Sequence, residues 1–213
     1  MILKFKNNYS KFCLITILFI CVFQSQSVFA SREPRIRVLI SKNNNLRIRS
    51  DRSIPLIIEG EFFSSKKIKG LTVKNEKNRK ILYFDKNKQK KYDLKSNQQL
   101  QIRSFDGRGI WVGQKRFSGK LKLFVLDSEI LVVNVLGIEK YLSSVVGSEM
   151  PTKWPIEALK AQAIASRTYA LKQKGNNLFD IDSTQKNQVY NGLESRTYKT
   201  CLLYTSPSPR DRG

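Results

Sequence analysis

Apolar and polar side chains alternate in short runs between residues 36 and 135, and this alternation predicts β-strands. Turn-forming residues separate the runs, as at Gly60 and at Asp106-Gly107. One side of each strand is apolar and the other is rich in Lys and Arg, so we expect an antiparallel β unit with one buried and one basic face. The Lys-rich stretch from 86 to 91 is predicted to be a solvated loop. The predicted strands lie at residues 36–40, 46–49, 56–59, 71–73, 81–84, 100–103, 110–112, 117–125 and 130–135.

Beyond residue 135 the apolar spacing changes to that of a helix. Ile138, Leu142 and Val145 recur at helical intervals. Gly147 suits the left-handed residue that ends a helix, and Pro151 cannot continue one. We therefore predict a short helix that ends near Gly147.

A longer helix is predicted after a short break. Pro155 is well placed as its first residue, because the N–H that proline lacks would be unpaired there anyway. Glu157 falls in the first turn, where a negative charge meets the positive end of the helix dipole. The Ala-rich run from Ile156 to Lys174 has no interior Gly or Pro, and Gly175 follows it as a stop signal. The only carboxylate in the loop between the two helices is Glu149.

These patterns together predict an α+β fold. A β-rich N-terminal unit packs on a helical segment, which consists of the short helix, the Glu-Met-Pro loop and the long Ala-rich helix. We place the β-rich region at residues 31–117 and the second domain at residues 118–200. No repeat and no linker separates them, so we expect the two parts to pack as one structure.

The first 30 residues have the pattern of a secretory signal peptide. Lys4, Lys6 and Lys11 precede an apolar run from Phe12 to Phe23, and Ala30 suits the position before a cleavage site. An uncleaved membrane anchor is the alternative, but this run is shorter than the ~20 residues that cross a bilayer. We expect an exported protein of the periplasm or cell wall, which meets the membrane only transiently through its signal peptide.

Composition restricts the chemistry that the chain can perform. There is no histidine, and cleavage after Ala30 leaves Cys201 as the only cysteine. Catalysis by Ser-His or Cys-His pairs and zinc ligation by histidine are therefore excluded. We expect no metal and no cofactor.

The chain is strongly basic, with 39 Lys and Arg against 17 Asp and Glu and a formal net charge of +22. In an exported protein this charge points to anionic envelope polymers or lipid headgroups. A general preference for Lys that is unrelated to binding explains it equally well. A nucleic-acid partner rests on charge alone and is disfavoured by the signal peptide.

Three ordered sequence blocks resemble a known family. The first runs from Val135 to Pro151, the second from Trp154 to Ala170, and the third combines Ser183-Thr184 with Gln-Val-Tyr-Asn-Gly at 188–192. Together they resemble the stage II sporulation protein D family, which also includes the amidase-enhancer proteins. The resemblance covers residues 118–195 and only the N-terminal part of that family's domain.

The resemblance implies which residues form the site. The glutamate before Met-Pro is the catalyst in enzymes of this family, and that role falls on Glu149. The resemblance also implies that Arg167, Gln188 and Tyr190 bind the substrate. Arg167 is either an ordinary polar member of its helix or projects toward the Glu149 loop. Relatives often carry metal-binding Cys and His before the Gln, whereas Gln-Lys-Asn at 185–187 argues against a zinc site here.

A single carboxylate limits the reaction that such a site can catalyse. Hydrolysis of a glycosidic bond normally needs two carboxyl groups, and Glu139 and Glu157 are more simply surface or helix-dipole partners. In lytic transglycosylation one acid protonates the leaving oxygen and then takes the proton from the sugar's own 6-hydroxyl, which leaves a 1,6-anhydro-muramyl end. The family resemblance implies this reaction on peptidoglycan, with a partly desolvated Glu149. Without the resemblance, Glu149 would more simply cap a helix or pair with a lysine.

We therefore predict a lytic transglycosylase whose partner is the peptidoglycan glycan strand. The alternative is a non-catalytic wall-binding module that enhances a cell-wall amidase. The segment 201–213 contains a Ser-Pro-Ser-Pro repeat and no Lys or Asn. It is predicted to lie outside the fold, either as translated sequencing adapter after a truncated coding sequence or as a disordered tail.

Overall fold

The computed structural model describes residues 33 to 205, apart from 53, 62, 86, 106 and 174. The predicted signal peptide and residues 206–213 lie outside these described residues. No helix of the described part is long and apolar enough to cross a membrane.

The described chain forms strands almost continuously until residue 137, and this agrees with the alternating pattern of the sequence. Twelve strands precede the first helix and a thirteenth follows the second. They are β1 (Arg35–Lys42), β2 (Leu46–Ser50), β3 (Leu56–Gly60), β4 (Phe63–Ile68), β5 (Gly70–Glu76), β6 (Arg79–Phe84), β7 (Asn87–Leu94), β8 (Gln99–Ser104), β9 (Ile110–Val112), β10 (Lys115–Phe117), β11 (Lys120–Val125), β12 (Ile130–Gly137) and β13 (Ile181–Asp182).

The strands form two sheets that share one core. The seven-stranded sheet has the order β13-β1-β12-β11-β8-β3-β4, and the six-stranded sheet has the order β10-β9-β2-β5-β6-β7. Neighbouring strands of the described residues pair antiparallel, except that β1 pairs with β13 in parallel. Alternate side chains of both sheets enter a single apolar cluster, which includes Val38, Ile48, Leu56, Ile58, Leu71, Val73, Leu82, Leu100, Ile102, Leu121 and Leu123.

Helices cover one part of this β unit. β12 leads directly into α1 (Ile138–Glu149), with Gly137 as its N-cap residue. A loop then leads to α2 (Ile156–Lys172), and a short 3-10 helix (Gly192–Ser195) and α3 (Tyr198–Thr205) follow β13. Side chains of α1 enter the main β core, while Val146 of α1 packs against α2.

The mixed α+β fold is thus confirmed, and most predicted strands are present. The Lys-rich loop predicted at 86–91 is wrong, because Asn87–Leu94 is strand β7 at the edge of the six-stranded sheet. An edge strand tolerates a polar sequence because it pairs on one side only. The proposed boundary at 117 and 118 falls between β10 and β11, and β11 pairs with β8 of the earlier region.

Two glycines act differently from the expectation. Gly147 lies inside α1 and does not end it, since the helix continues to Glu149. Gly175 does adopt a left-handed conformation, with φ +56, but α2 already ends at Lys172.

The start of the C-terminal segment also differs from the prediction. Residues 201–205 complete α3, and Leu203 and Tyr204 pack against Val146 and Leu159 of the two longer helices. The expectation that the fold stops near residue 200 is therefore wrong for these five residues, because their apolar side chains fill a gap between α1 and α2.

Candidate active site

Glu149 is the last residue of α1, and its side chain is exposed. Its Oε1 accepts the backbone N–H of Val189 at 2.5 Å. No described residue hydrogen-bonds its Oε2. Met150 leaves the helix with an extended backbone, φ −129 and ψ 145, so the chain turns away and uncovers the carboxylate. The result is a carboxyl group with one oxygen held and the other open to solvent.

The segment that reaches Glu149 is anchored by a buried amide. Gln188 is buried, and its Oε1 accepts the hydroxyl of Tyr141 at 3.0 Å. Its Nε2 donates to the backbone oxygen of Ser166 at 3.3 Å. Gln188 therefore joins α1 to α2 and sets the position of the next residue, Val189.

Tyr190 anchors the same segment on its other side. It is 1% exposed, and its hydroxyl donates to Oδ1 of Asn134 at 2.7 Å. Its ring lies 5.1 Å from that of Tyr141 and 5.6 Å from that of Phe117. Burial raises the pKa of Tyr190, and burial together with the nearby Tyr190 and Glu149 raises the pKa of Tyr141. Both hydroxyls therefore stay protonated and keep donating.

Close backbone packing fixes the continuation of this segment. The N–H of Asn191 donates to the hydroxyl of Ser148 at 3.4 Å, and Lys115 donates to the Asn191 side chain at 2.8 Å. A Cβ atom on Gly147 would lie 1.9 Å from the carbonyl oxygen of Ser195. Glycine at 147 is thus what lets the 3-10 helix lie against α1 next to Glu149.

Arg196 ties the 3-10 helix to α1 and to the β unit. Its Nε donates to the hydroxyl of Ser144 at 2.8 Å, and its second terminal nitrogen donates to the hydroxyl of Ser118 at 2.9 Å and to the carbonyl oxygen of Lys140 at 2.5 Å. Burial lowers the pKa of Arg196. No sequence motif pointed to Arg196, and Tyr141 lies within the block from Val135 to Pro151 without having been singled out. Asn134 had a signal that was missed, because it is the one polar residue in the apolar run of β12.

Arg167 does not lie at the Glu149 loop. It forms an ion pair with Glu139 in the first turn of α1, and its guanidinium lies 5.7 Å from the ring centroid of Tyr204. Ten residues of helix separate Glu139 from Glu149, which is about 15 Å along the helix axis. Of the two alternatives left open for Arg167, projection toward this loop is not what the structure has, because Arg167 lies next to Glu139 at the other end of α1.

Exposed aromatic and polar side chains border this region. Trp154, in the loop after Glu149, is 46% exposed. The hydroxyl of Tyr169 donates to the side-chain oxygen of Asn187 at 2.8 Å. A groove of about 650 Å³ lies between the end of β1 and residues 179–186. Burial favours a higher pKa for Asp182 in this groove, but hydrogen bonds from Thr184 and Asn187 outweigh it and lower that pKa.

The structure thus brings Glu149 together with the backbone N–H of Val189, which lies between Gln188 and Tyr190. The side chains of Gln188 and Tyr190 are buried with internal partners, so they leave no surface for a saccharide. The apolar shielding expected around Glu149 is absent, because its side chain is exposed. Among the described residues, no three His, Cys, Asp or Glu side chains cluster closely enough to hold a metal ion.

Comparison with known proteins finds a family that part of the chain resembles. Residues 126–207 match the SpoIID family, described as "Stage II sporulation protein". The chain is 45% identical over 86 residues to an uncharacterized protein of Brachyspira hyodysenteriae. The aligned region covers 38% of this chain and 23% of that protein. No solved structure matches the chain.

Two named relatives come from Bacillus species. An "Amidase enhancer" of Bacillus subtilis is 46% identical over 51 residues, which covers 24% of this chain and 7% of that protein. A "Stage II sporulation protein D" of Bacillus amyloliquefaciens is 40% identical over 65 residues, which covers 27% of this chain and 19% of that protein. The chain spans less than a quarter of each of these relatives, and the family resemblance of its sequence blocks is confirmed for this part.

Proposed function

We propose, from the SpoIID match over residues 126–207, that this chain is an exported lytic transglycosylase that cleaves peptidoglycan glycan strands. The observation that carries the proposal is the state of Glu149: one carboxylate oxygen is held by the Val189 N–H, and the other is exposed and unpartnered among the described residues. An acid catalyst needs this combination of fixed orientation and access to substrate.

The reaction needs two proton transfers through one carboxyl group. The protonated Oε2 of Glu149 gives its proton to the glycosidic oxygen, and the bond from that oxygen to the muramyl anomeric carbon breaks. The sugar's 6-hydroxyl oxygen then bonds to the anomeric carbon, and the hydroxyl proton passes to the Glu149 carboxylate, which regenerates the acid. No water is consumed, and the product is a 1,6-anhydro-muramyl end. Bound glycan would exclude water from the exposed carboxyl and so supply the desolvation that the free site lacks.

Three other residues support this geometry in our proposal. Gln188 and Tyr190 are positioning residues, because their buried hydrogen bonds fix the backbone that holds Glu149. Arg167 holds α2 to α1 through Glu139, and a contact with glycan would require that pair to open. No cofactor is needed, and we place the protein in the periplasm or cell wall.

The Glu149→Gln variant tests the proposal, because it keeps size and polarity but cannot transfer the proton. Purified glycan strands would be incubated with each variant and the products analysed by mass spectrometry. We expect anhydro-muramyl ends from the unaltered chain and none from Glu149→Gln. Glu157→Gln is the matched control, since Glu157 is exposed and pairs only with Lys160 at 2.9 Å. Undiminished anhydro products from Glu149→Gln would overturn the proposal.

A second candidate is a non-catalytic wall-binding module that stimulates a cell-wall amidase. One relative is named "Amidase enhancer", and α2 presents a partly apolar surface in which Ile164 is 64% and Leu171 is 54% exposed. Adding the chain to a wall amidase distinguishes the two candidates. Stimulation that survives Glu149→Gln and is lost in Ile164→Ser would favour the module.

A further inference from the structure

The outer face of the seven-stranded sheet carries a row of cations. Lys67 on β4 lies opposite Ile57, Ile57 lies opposite Arg103, and Arg103 lies opposite Lys120. In-register residues of neighbouring antiparallel strands point to the same side of a sheet, so these side chains share one face. Lys122 lies two residues after Lys120 on the same face of β11.

Few acids balance this row. Glu59 pairs with Arg103 at 3.2 Å. Lys122 and Arg35 form no ion pair with a carboxylate of the described residues. Arg35 is on the same side, because Arg37 two residues later lies opposite Val135, and Val135 lies opposite Lys120. We call Arg35, Lys67, Arg103, Lys120 and Lys122 the cationic face, and of these five Arg103 is paired with Glu59.

The charges of the cationic face repel one another. Arg103 and Lys120 are directly opposed across two strands, an arrangement that destabilises a sheet. Burial, and then the charges of Arg35 and Lys122, lowers the pKa of Lys120. Lys120 donates to the neutral side chain of Gln101 at 2.8 Å, which does not cancel its charge. A fold that keeps this repulsion on one surface gains stability whenever an anion binds there.

The twisted row of cations fits a linear polymer better than a flat surface such as a membrane. The row from β4 to β11 takes three strand steps of about 4.8 Å, so it extends for about 14 Å. Each step rotates the sheet by roughly 20–25°, so the end cations point about 60–75° apart. A flexible linear polymer can follow this rotation, whereas a flat membrane cannot meet all the cations together.

One aromatic side chain indicates what kind of polymer fits. Phe105 is 62% exposed, and Lys67 lies 5.4 Å from its ring centroid. An exposed ring next to a cation offers an apolar platform to a sugar ring and a charge to its carboxylate.

We propose that the cationic face is a second binding surface for peptidoglycan, which it holds through the carboxylates of the wall polymer while the glycan is cleaved elsewhere. This inference rests on the proposed function for the identity of the polymer. It assigns the surface to residues that do not include Glu149 or its anchors.

The test measures binding to insoluble wall sacculi by co-sedimentation, in a Glu149→Gln background so that the wall stays intact. The variant Arg35→Gln, Lys67→Gln, Lys122→Gln removes three cations of the face that form no ion pair with a carboxylate in the described part of the chain. The control Lys74→Gln, Lys77→Gln, Lys95→Gln removes three exposed cations of other surfaces. We expect about tenfold weaker binding of the first variant at low salt and little change in the control, since each exposed charge contributes modestly. Equal thermal unfolding of both variants would establish that the fold is intact.

Treatment of the wall identifies the anion. Amidation of the sacculus carboxylates should abolish the difference between the two variants, and removal of wall phosphate polymers with acid should leave it. Equal losses in both triple variants would overturn the proposal, as would loss of binding after phosphate removal or equal competition by single-stranded RNA. Glycan cleavage by the Glu149→Gln chain would overturn the proposed catalytic role of Glu149. It would leave the binding proposal standing, because co-sedimentation measures binding and does not depend on cleavage.

Discussion

The hydroxyl of Tyr141 donates to Oε1 of Gln188 at 3.0 Å inside the protein, and this buried bond sets where Val189 meets Glu149. Tyr141 lies on α1, the same helix that ends at Glu149. The helix therefore carries both the proposed catalyst and the anchor of the segment that orients it. A change in this bond should alter the site without touching the carboxyl group.

Tyr141→Phe should lower the free energy of unfolding by about 1–3 kcal/mol, because it leaves a buried amide oxygen without a donor. Denaturant unfolding measures this loss. Tyr169→Phe is the control, since it removes an exposed hydroxyl bond to Asn187 and should cost under about 1 kcal/mol. Equal decreases in the free energy of unfolding of the two variants would show that the buried Tyr141–Gln188 hydrogen bond contributes no more to stability than the exposed one.

Gly147→Ala should destabilise the protein, although the same change in a free helix stabilises by about 1 kcal/mol. The new Cβ would lie 1.9 Å from the Ser195 carbonyl oxygen, so the 3-10 helix must move. We expect a net loss of about 1–3 kcal/mol in the free energy of unfolding and a lower rate of glycan cleavage. Chemical unfolding and product analysis check both.

Gly113 is the control that separates the effect of a steric contact from the effect of a left-handed backbone conformation. Gly113 has φ +58, and an added Cβ would meet nothing within 4 Å. Gly113→Ala should therefore cost only the left-handed strain of about 1–2 kcal/mol and leave cleavage unchanged. A stabilised Gly147→Ala variant would contradict the close approach of Ser195.

Stability should fall steeply at alkaline pH. Burial raises the pKa of Tyr141 and Tyr190 above the 10.0 of a free tyrosine. The unfolded chain therefore loses these protons first. The contribution of the two tyrosines to stability is fully present below pH ~10 and is lost as the pH rises from there toward the folded pKa values. Each tyrosine adds about 1.4 kcal/mol per pH unit to the slope.

The Tyr190→Phe variant isolates one of these two protons. Its free energy of unfolding should be lower at neutral pH, because Asn134 loses its donor, and its alkaline slope should be shallower by one proton. Denaturant unfolding at a series of pH values measures the slope. An unchanged slope would mean that Tyr190 ionises in the folded protein.

Arg196→Lys should weaken the link between the 3-10 helix and α1. A lysine keeps the charge but cannot reproduce the fork that reaches Ser144, Ser118 and the Lys140 carbonyl together. We expect a loss of about 1–3 kcal/mol in the free energy of unfolding. Arg79→Lys is the control, because its pair with Asp93 is exposed and should contribute under about 1 kcal/mol.

The Arg167–Glu139 pair can be assessed by a double-mutant cycle. Arg167→Gln and Glu139→Gln should each reduce stability slightly, and the coupling between them should be about 0.5–1 kcal/mol. If Arg167 acts only as a tie between helices, both single variants should change the glycan-cleavage rate alike. A selective increase in KM for Arg167→Gln would instead indicate direct substrate contact.

The sequence predicted elements better than it predicted contacts. Alternation located most strands, and Pro155 with Gly175 bounded α2 to within a few residues. Edge strand β7 was mistaken for a loop, because its Lys-rich sequence lacks the apolar face that reveals a central strand. Gly147 was mistaken for a helix end, because a glycine that admits a neighbouring carbonyl and one that ends a helix look alike in sequence.

In the candidate active site, too, the sequence predicted the local break in the helix better than the contacts between distant residues. The sequence placed Glu149 in a loop after a helix that ends near Gly147, whereas Glu149 is the last residue of α1. The signals that end a helix are local, so they located the break to within a few residues. Local patterns carry no information on which distant groups meet, so they could not show that Tyr190 donates to Asn134 or that Arg167 pairs with Glu139. Asn134, the polar residue in the apolar run of β12, was a hint in the sequence that a buried side chain needs a hydrogen-bond partner.

β13 is an edge strand of its sheet and pairs only with β1, and this has a consequence for the order in which the chain folds. β13 leads into the residues that hold Glu149, so the latest-made portion of the site depends on the earliest-made strand. A nascent chain would therefore contain α1 before Val189 can hold the Glu149 carboxylate. Contacts this remote in sequence form slowly, so the Glu149 site is completed only after the β unit has closed.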